Sequence, residues 1–182
     1  MNSLTLHTKI KLSHFLLVSG NGRNVGKTTL ACKIITQLSK STPVSGIKIS
    51  SHFHSYSEDE VVKKSDSFVI LEEKKHNSKD SSLMLQAGAH RVYFVMAAKQ
   101  NLEDALSQLL KLIPNEAVVC ESGGLHEHVS PGLFLFVNKK NKAIEKVHLL
   151  KQEPIIVEND GENFNMNIKD ICFTNKRIQL RP

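Results

Sequence analysis

One short segment constrains this chain more than any other: Gly20-Asn21-Gly22-Arg23-Asn24-Val25-Gly26-Lys27-Thr28-Thr29. It follows the apolar run His14 to Ser19, which suits a buried strand. After it, Leu30, Ala31, Ile34, Ile35 and Leu38 recur at helical spacing opposite Lys33, Thr36 and Gln37. A helix is therefore expected from Thr28 to about Ser39, with Pro43 just beyond its end. A glycine-rich turn between strand and helix that ends in Gly-Lys-Thr is close to G-x-x-x-x-G-K-[ST], the Walker A pattern of phosphate-binding loops. Glycines let backbone N–H groups approach phosphate oxygens, and the helix start aims its positive dipole end at the same anion. Lys27 would reach the β- and γ-phosphates, and the Thr28 hydroxyl would ligate Mg²⁺. The expected nucleotide contacts are Gly22, Arg23, Asn24, Val25, Gly26, Lys27, Thr28 and Thr29. The pattern departs at Asn21, where its first glycine belongs; Asn tolerates left-handed backbone better than most residues.

The rest of the chain alternates in the same way. Strands are expected at Val44 to Ile49, Phe68 to Leu71, Arg91 to Met96, Ala117 to Cys120, Leu133 to Val137 and Pro154 to Val157. Ser50 to Asp66 is polar and reads as a loop. Asp80 to Ala87 is a short helix with Gly88 at its C-terminal cap. Asn101, with Asp104 three residues on, is placed to N-cap a helix whose stripe is Leu102, Ala105, Leu106, Leu109 and Ile113, stopped by Pro114. The final twenty residues carry no clear pattern. Strands alternating with helices over 182 residues imply one α/β domain, residues 1–182: a three-layer fold with a mostly parallel sheet flanked by helices, of the P-loop NTPase kind.

Charge narrows the ligand. The formal net charge is +6, yet Met1 to Ser57 holds seven Lys or Arg and no Asp or Glu. The excess surrounds the glycine loop, where a triphosphate would need it. Nucleic acid is not expected as a partner, because the other basic residues are scattered and aromatics are 5%. No apolar run approaches the roughly 20 residues of a membrane helix, so no membrane is expected. The start of the chain has no apolar segment of signal-peptide length, and Cys32, Cys120 and Cys172 make no disulfide framework. A reducing cytoplasm is the expected location.

Later segments resemble a family. Gly46-Ile47-Lys48-Ile49-Ser50-Ser51-His52-Phe53-His54 looks like the segment G-x-I-K-H-x-H-H of the molybdopterin-guanine dinucleotide biosynthesis protein MobB family. Lys79-Asp80-Ser81 followed by Ala87-Gly88-Ala89 is similar to that family's G-K-D-S…A-G-A, and Val118-Val119-Cys120-Glu121-Ser122-Gly123 sits where the family has V-E-G. The order matches from about His14 to Asp160. Ile49, Ser78 and Ser122 depart from the family pattern and mark a divergent branch. The glycine loop and Glu121-Ser122-Gly123-Gly124-Leu125 also resemble dethiobiotin synthetase, of the same broad class of P-loop proteins. The resemblance implies a GTP-binding accessory protein with slow Mg²⁺-dependent hydrolysis, a partner enzyme in molybdenum cofactor biosynthesis and a homodimer. The alternative it implies is an ATP-dependent ligase or kinase of the dethiobiotin synthetase type, in which Lys48 would bind substrate.

Four further assignments remain open on sequence. A P-loop NTPase needs an acid at the end of a second apolar strand. Glu121 is the first choice, as the metal-side and catalytic carboxylate, and Glu72 its rival. Asp80 is either a second catalytic acid, by the family resemblance, or an ordinary helix N-cap. Asn138-Lys139-Lys140-Asn141 imitates the guanine-reading N-K-x-D but ends in Asn, which loses bidentate pairing, so a lysine-rich turn is the simpler reading. His52, His54, His126 and His128 form two H-x-H pairs, and in extended chain both members of a pair face one side. They are either an alternative metal or partner site, or polar loop residues.

Overall fold

An eight-stranded sheet carries the chain in the computed structural model, which describes residues 8–75 and 77–181. Its strands are β1 (Ile10–Gly20), β2 (Val44–Ser50), β3 (Val61–Lys64), β4 (Phe68–Glu72), β5 (Arg91–Ala97), β6 (Ala117–Glu121), β7 (Val129–Lys139) and β8 (Ile155–Asn159). They stand in the order β3-β4-β5-β2-β6-β1-β7-β8. Every neighbouring pair from β5 to β8 is parallel, and only β4 runs against the rest, antiparallel to both β3 and β5. The helices are α1 (Lys27–Leu38), α2 (Asp80–Gln86) and α3 (Leu102–Leu109). Among the described residues no helix is long and apolar enough to cross a membrane.

Strand alternation divides the core into two faces. Leu16 and Val18 of β1 pack with Leu30, Ile34 and Ile35 of α1 and Met84 of α2. Phe15 and Leu17 point the other way, onto Val118, Cys120 and the α3 stripe Leu102, Ala105, Leu106 and Leu109. Each fully buried Leu or Ile contributes about 2 kcal/mol. Buried on both faces, β6 is apolar almost throughout, as parallel central strands are.

Several elements differ from the sequence expectation, each for a physical reason. β1 begins at Ile10, ahead of His14, because Ile10 to Leu12 already pair with Val129 to Pro131 of β7, before the register shifts between Leu12 and Leu16. Gly132 sits under that irregularity: a Cβ there would lie 2.1 Å from the Ser13 carbonyl oxygen. Residues 50–66 are not loop throughout, since Val61–Lys64 adds an exposed antiparallel edge to β4. The Asn101 side chain does not cap α3; its Nδ2 donates instead to the Ser67 carbonyl at 3.4 Å. Gly88 does end α2, with φ of 103°, and a Schellman pair of bonds runs from Gly88 N to Leu85 O and from Ala89 N to Met84 O. Near the C-terminal end of the described residues, β9 (Ile171–Thr174) and β10 (Arg177–Leu180) form a hairpin whose Ile171 and Ile178 bury against the α1 face.

Candidate functional site

Parallel strands deliver their C-terminal ends, and the loops that follow, to one edge of the sheet. The glycine loop leaves β1 there. Its backbone turns through positive φ at Gly22 (111°), Asn24 (56°) and Gly26 (100°). Left- and right-handed residues in succession make the concave N–H nests that bind anions. Arg23, Asn24 and Thr29 are exposed, whereas the Val25 side chain is in the core, so only its backbone is offered.

The loop is shaped from a distance. Asn159, the last residue of β8, donates from Nδ2 to the Val25 carbonyl at 2.9 Å. A Cβ on Gly26 would stand 2.4 Å from that same nitrogen, and the backbone there is left-handed. Gly26→Ala is expected to lower stability by about 1–3 kcal/mol. An unaltered urea midpoint would show that the loop tolerates the methyl.

Asn21 corrects the sequence reading. It is not among the residues with positive φ; that conformation falls on Gly22. Asn21 is fully buried and its carboxamide is a clamp. Nδ2 donates to Asn138 Oδ1 and to the Ala143 carbonyl, each at 2.8 Å, and Oδ1 accepts from Glu145 N at 2.9 Å. Asn138 completes the lock by donating from Nδ2 to the Lys142 carbonyl at 2.7 Å. Its carboxamide is thus engaged within the turn, with Asn141 left-handed at the corner, and the lysine-rich turn is the better account of this segment.

Four predicted side chains meet. Register places Glu121 of β6 opposite Val18 of β1 on one side and Lys48 of β2 on the other. Thr28, in the first turn of α1, donates from Oγ1 to Glu121 Oε2 at 2.8 Å. Lys48 Nζ lies 2.6 Å from Glu121 Oε1 and 2.7 Å from Asp80 Oδ2. Glu121 is 2% exposed. Burial pulls the Lys48 ammonium down, but Glu121 and Asp80 more than offset it and hold it above its ordinary value. Asp80 is therefore not an N-cap: Lys79 occupies that position without a side-chain bond. Glu72 is excluded by direction. β4 is antiparallel to β5, so Glu72 pairs with Tyr93 near the opposite edge and holds Arg91 at 2.9 Å.

Lys27 folds back on the loop, donating from Nζ to the Gly22 carbonyl at 2.5 Å. Burial lowers its pKa, Lys48 and Lys146 lower it further, and Glu121 opposes them. Several cations thus crowd one edge, and an anion would relieve them. The Thr28 hydroxyl with the Glu121 and Asp80 carboxylates forms an all-oxygen donor set. That is the chemistry Mg²⁺ takes, needing only one or two carboxylates beside substrate phosphates. The Lys48 ammonium supplies the positive charge between these two carboxylates.

The histidine pairs do not converge. His52 and His54 are exposed beyond β2. His126 sits in a 3-10 turn, Leu125–Glu127, which breaks the extended spacing that would align it with half-buried His128. Among the described residues no three His, Cys, Asp or Glu side chains are grouped to hold a metal ion. The shared metal site considered on sequence is not formed.

Sequence reasoning missed Asn159 and the cavity beside Lys48. This cavity, about 410 Å³, is lined by Lys48, Asp80, Ser81, Glu73, His54 and Phe94 among others. Ser81 donates to Glu73 at 2.7 Å there. Cys120 is buried, and burial first, then Glu121, pushes its thiol pKa up. Cys32 is half-buried, and burial first, then Glu121 and Asp80, pushes its thiol pKa up to about 11. Neither thiol is activated.

No family model, no curated protein and no solved structure matches this chain.

Proposed function

We propose that this chain is a P-loop protein that binds a nucleoside triphosphate with Mg²⁺ and hydrolyses it slowly. The observation that carries this reading is the 2.8 Å bond from Thr28 Oγ1 to Glu121 Oε2, which joins the glycine loop to the acid of the adjacent strand. In this reading the loop N–H groups and Lys27 hold the β- and γ-phosphates. Thr28 and Glu121 hold Mg²⁺, which neutralises charge developing on the phosphates. Asp80, about half exposed, is the carboxylate left to orient water. On the resemblance to MobB, the nucleotide is GTP, and the chain is a homodimeric accessory to a partner enzyme of molybdenum cofactor biosynthesis.

The cavity beside Lys48 and Asp80 favours a second reading, an ATP-dependent ligase or kinase that holds its acceptor there. Turnover of purified protein with GTP or ATP alone separates the two. The accessory runs far below 1 per second, whereas dedicated enzymes turn over at about 1–10³ per second with substrate.

Binding itself is tested by thermal denaturation with Mg²⁺ and each nucleotide. At a hundredfold excess over Kd, ligand raises stability by about 2.7 kcal/mol. Lys27→Ala should abolish the increment. Equal stabilisation of native protein and variant would place nucleotide elsewhere.

A further inference from the structure

A second cavity opens where Ser122 and Gly123 follow the end of β6. It measures about 360 Å³ and is walled by Ser122, Gly123, His126, Lys146 and His148, with Lys99 at its rim, and it shares no lining residue with the cavity beside Lys48. One carboxylate, Glu127, also lines it, and Lys99 Nζ neutralises that group at 2.8 Å. Lys146 makes no salt bridge among the described residues, while its backbone N–H is held by Asn21 Oδ1 at 3.3 Å. That bond ties Lys146, in the cavity wall, to Asn21 of the glycine loop.

The polar groups are built in. His126 is 3% exposed, stacks on Phe134 with ring centroids 6.2 Å apart, and lies 6.3 Å from the His148 ring. Its Nδ1 is buried without a hydrogen-bond partner. Burial holds this imidazole neutral, with its pKa lowered to about 4, so at neutral pH it keeps both a donor and an acceptor. Gly123 has open space where a side chain would stand. The result is a pocket with net positive charge, hydrogen-bonding rings and accessible backbone.

We propose that the cavity between Gly123, His126, Lys146 and His148 binds a small oxyanion, the phosphate or carboxylate head of a co-substrate. Its role as co-substrate rests on the nucleotide reading; binding of the anion does not. Uncompensated Lys146 supplies the attraction, and the imidazoles supply directed hydrogen bonds. The anion is held beside the phosphate loop rather than in it.

Histidine imidazole NMR signals, followed at pH 7, test this with inorganic phosphate and with succinate. At least one anion should shift the His126 and His148 signals saturably while leaving His14 and His90 in place. The response should persist in Lys27→Ala and weaken at least tenfold in Lys146→Met, whose melting curve checks that it is folded. Tighter binding of phosphate or of succinate identifies the head group. No shift with either anion, a shift lost in Lys27→Ala, or a shift retained in Lys146→Met overturns the proposal. Failure of the nucleotide reading looks different: nucleotides then leave the melting temperature unchanged while the anion response at His126 and His148 remains.

Discussion

Lys48→Met should lower the stability of the protein by about 3 kcal/mol, measured by urea denaturation at pH 7. Removing one partner of a buried ion pair leaves the other charge desolvated and unpaired. Glu121, 2% exposed, would keep only the Thr28 hydroxyl. Glu121→Gln should cost less, because Lys48 retains Asp80 at 2.7 Å and its own side chain is 18% exposed. The double variant should lose at least about 1 kcal/mol less than the two single losses added, since the residues touch. Strictly additive losses would show that Lys48 and Glu121 are not energetically paired. Mg²⁺ offers a second readout. It should stabilise Lys48→Met more than the native protein, because the ammonium no longer sits between the two carboxylates.

The second large effect concerns acid. The His126 pKa falls from the ordinary 6.5 to about 4. Burial is the main cause; Lys9, His148 and Lys99 add to it, and Glu127 opposes it. An unfolded chain would take up a proton near pH 6.5 that the native protein refuses until about pH 4. Stability is therefore lost as pH falls through that window, and the loss levels off below it. The displacement corresponds to about 3 kcal/mol. His126→Phe, which can keep the stacking on Phe134, should remove most of this fall. Denaturation midpoints at pH 7 and pH 4.5 measure it. An identical fall in the variant would place the acid sensitivity elsewhere.

How much of this was legible follows from the range of the interactions. β6 and α1 could be read because each carries its own burial pattern in consecutive residues. β3 could not, because Val61–Lys64 lies largely exposed at a sheet edge and its strand character comes from pairing with β4. The β9–β10 hairpin turns at Asn175 and Lys176, both at positive φ, without the Asn-Gly signature that marks such turns. At the site, Lys27, Thr28 and Glu121 were legible because strand ends and a glycine loop announce them. Asp80 stayed open between catalytic acid and helix cap because its partner, Lys48, is distant in sequence. Asn21, Asn138 and Asn159 were opaque for the same reason: each acts on a segment more than a hundred residues away.

Those asparagines have a consequence for how the protein is made. The loop sequence leaves the ribosome well before the side chains that shape it, which come from the ends of β7 and β8. During synthesis the chain would carry Gly20 to Thr29 for well over a hundred residues before Asn159 could reach Val25. A nascent chain stopped short of β8 has the glycine loop without the Asn159 bond to Val25. The finished geometry of the loop thus waits on a strand translated more than a hundred residues after the loop itself.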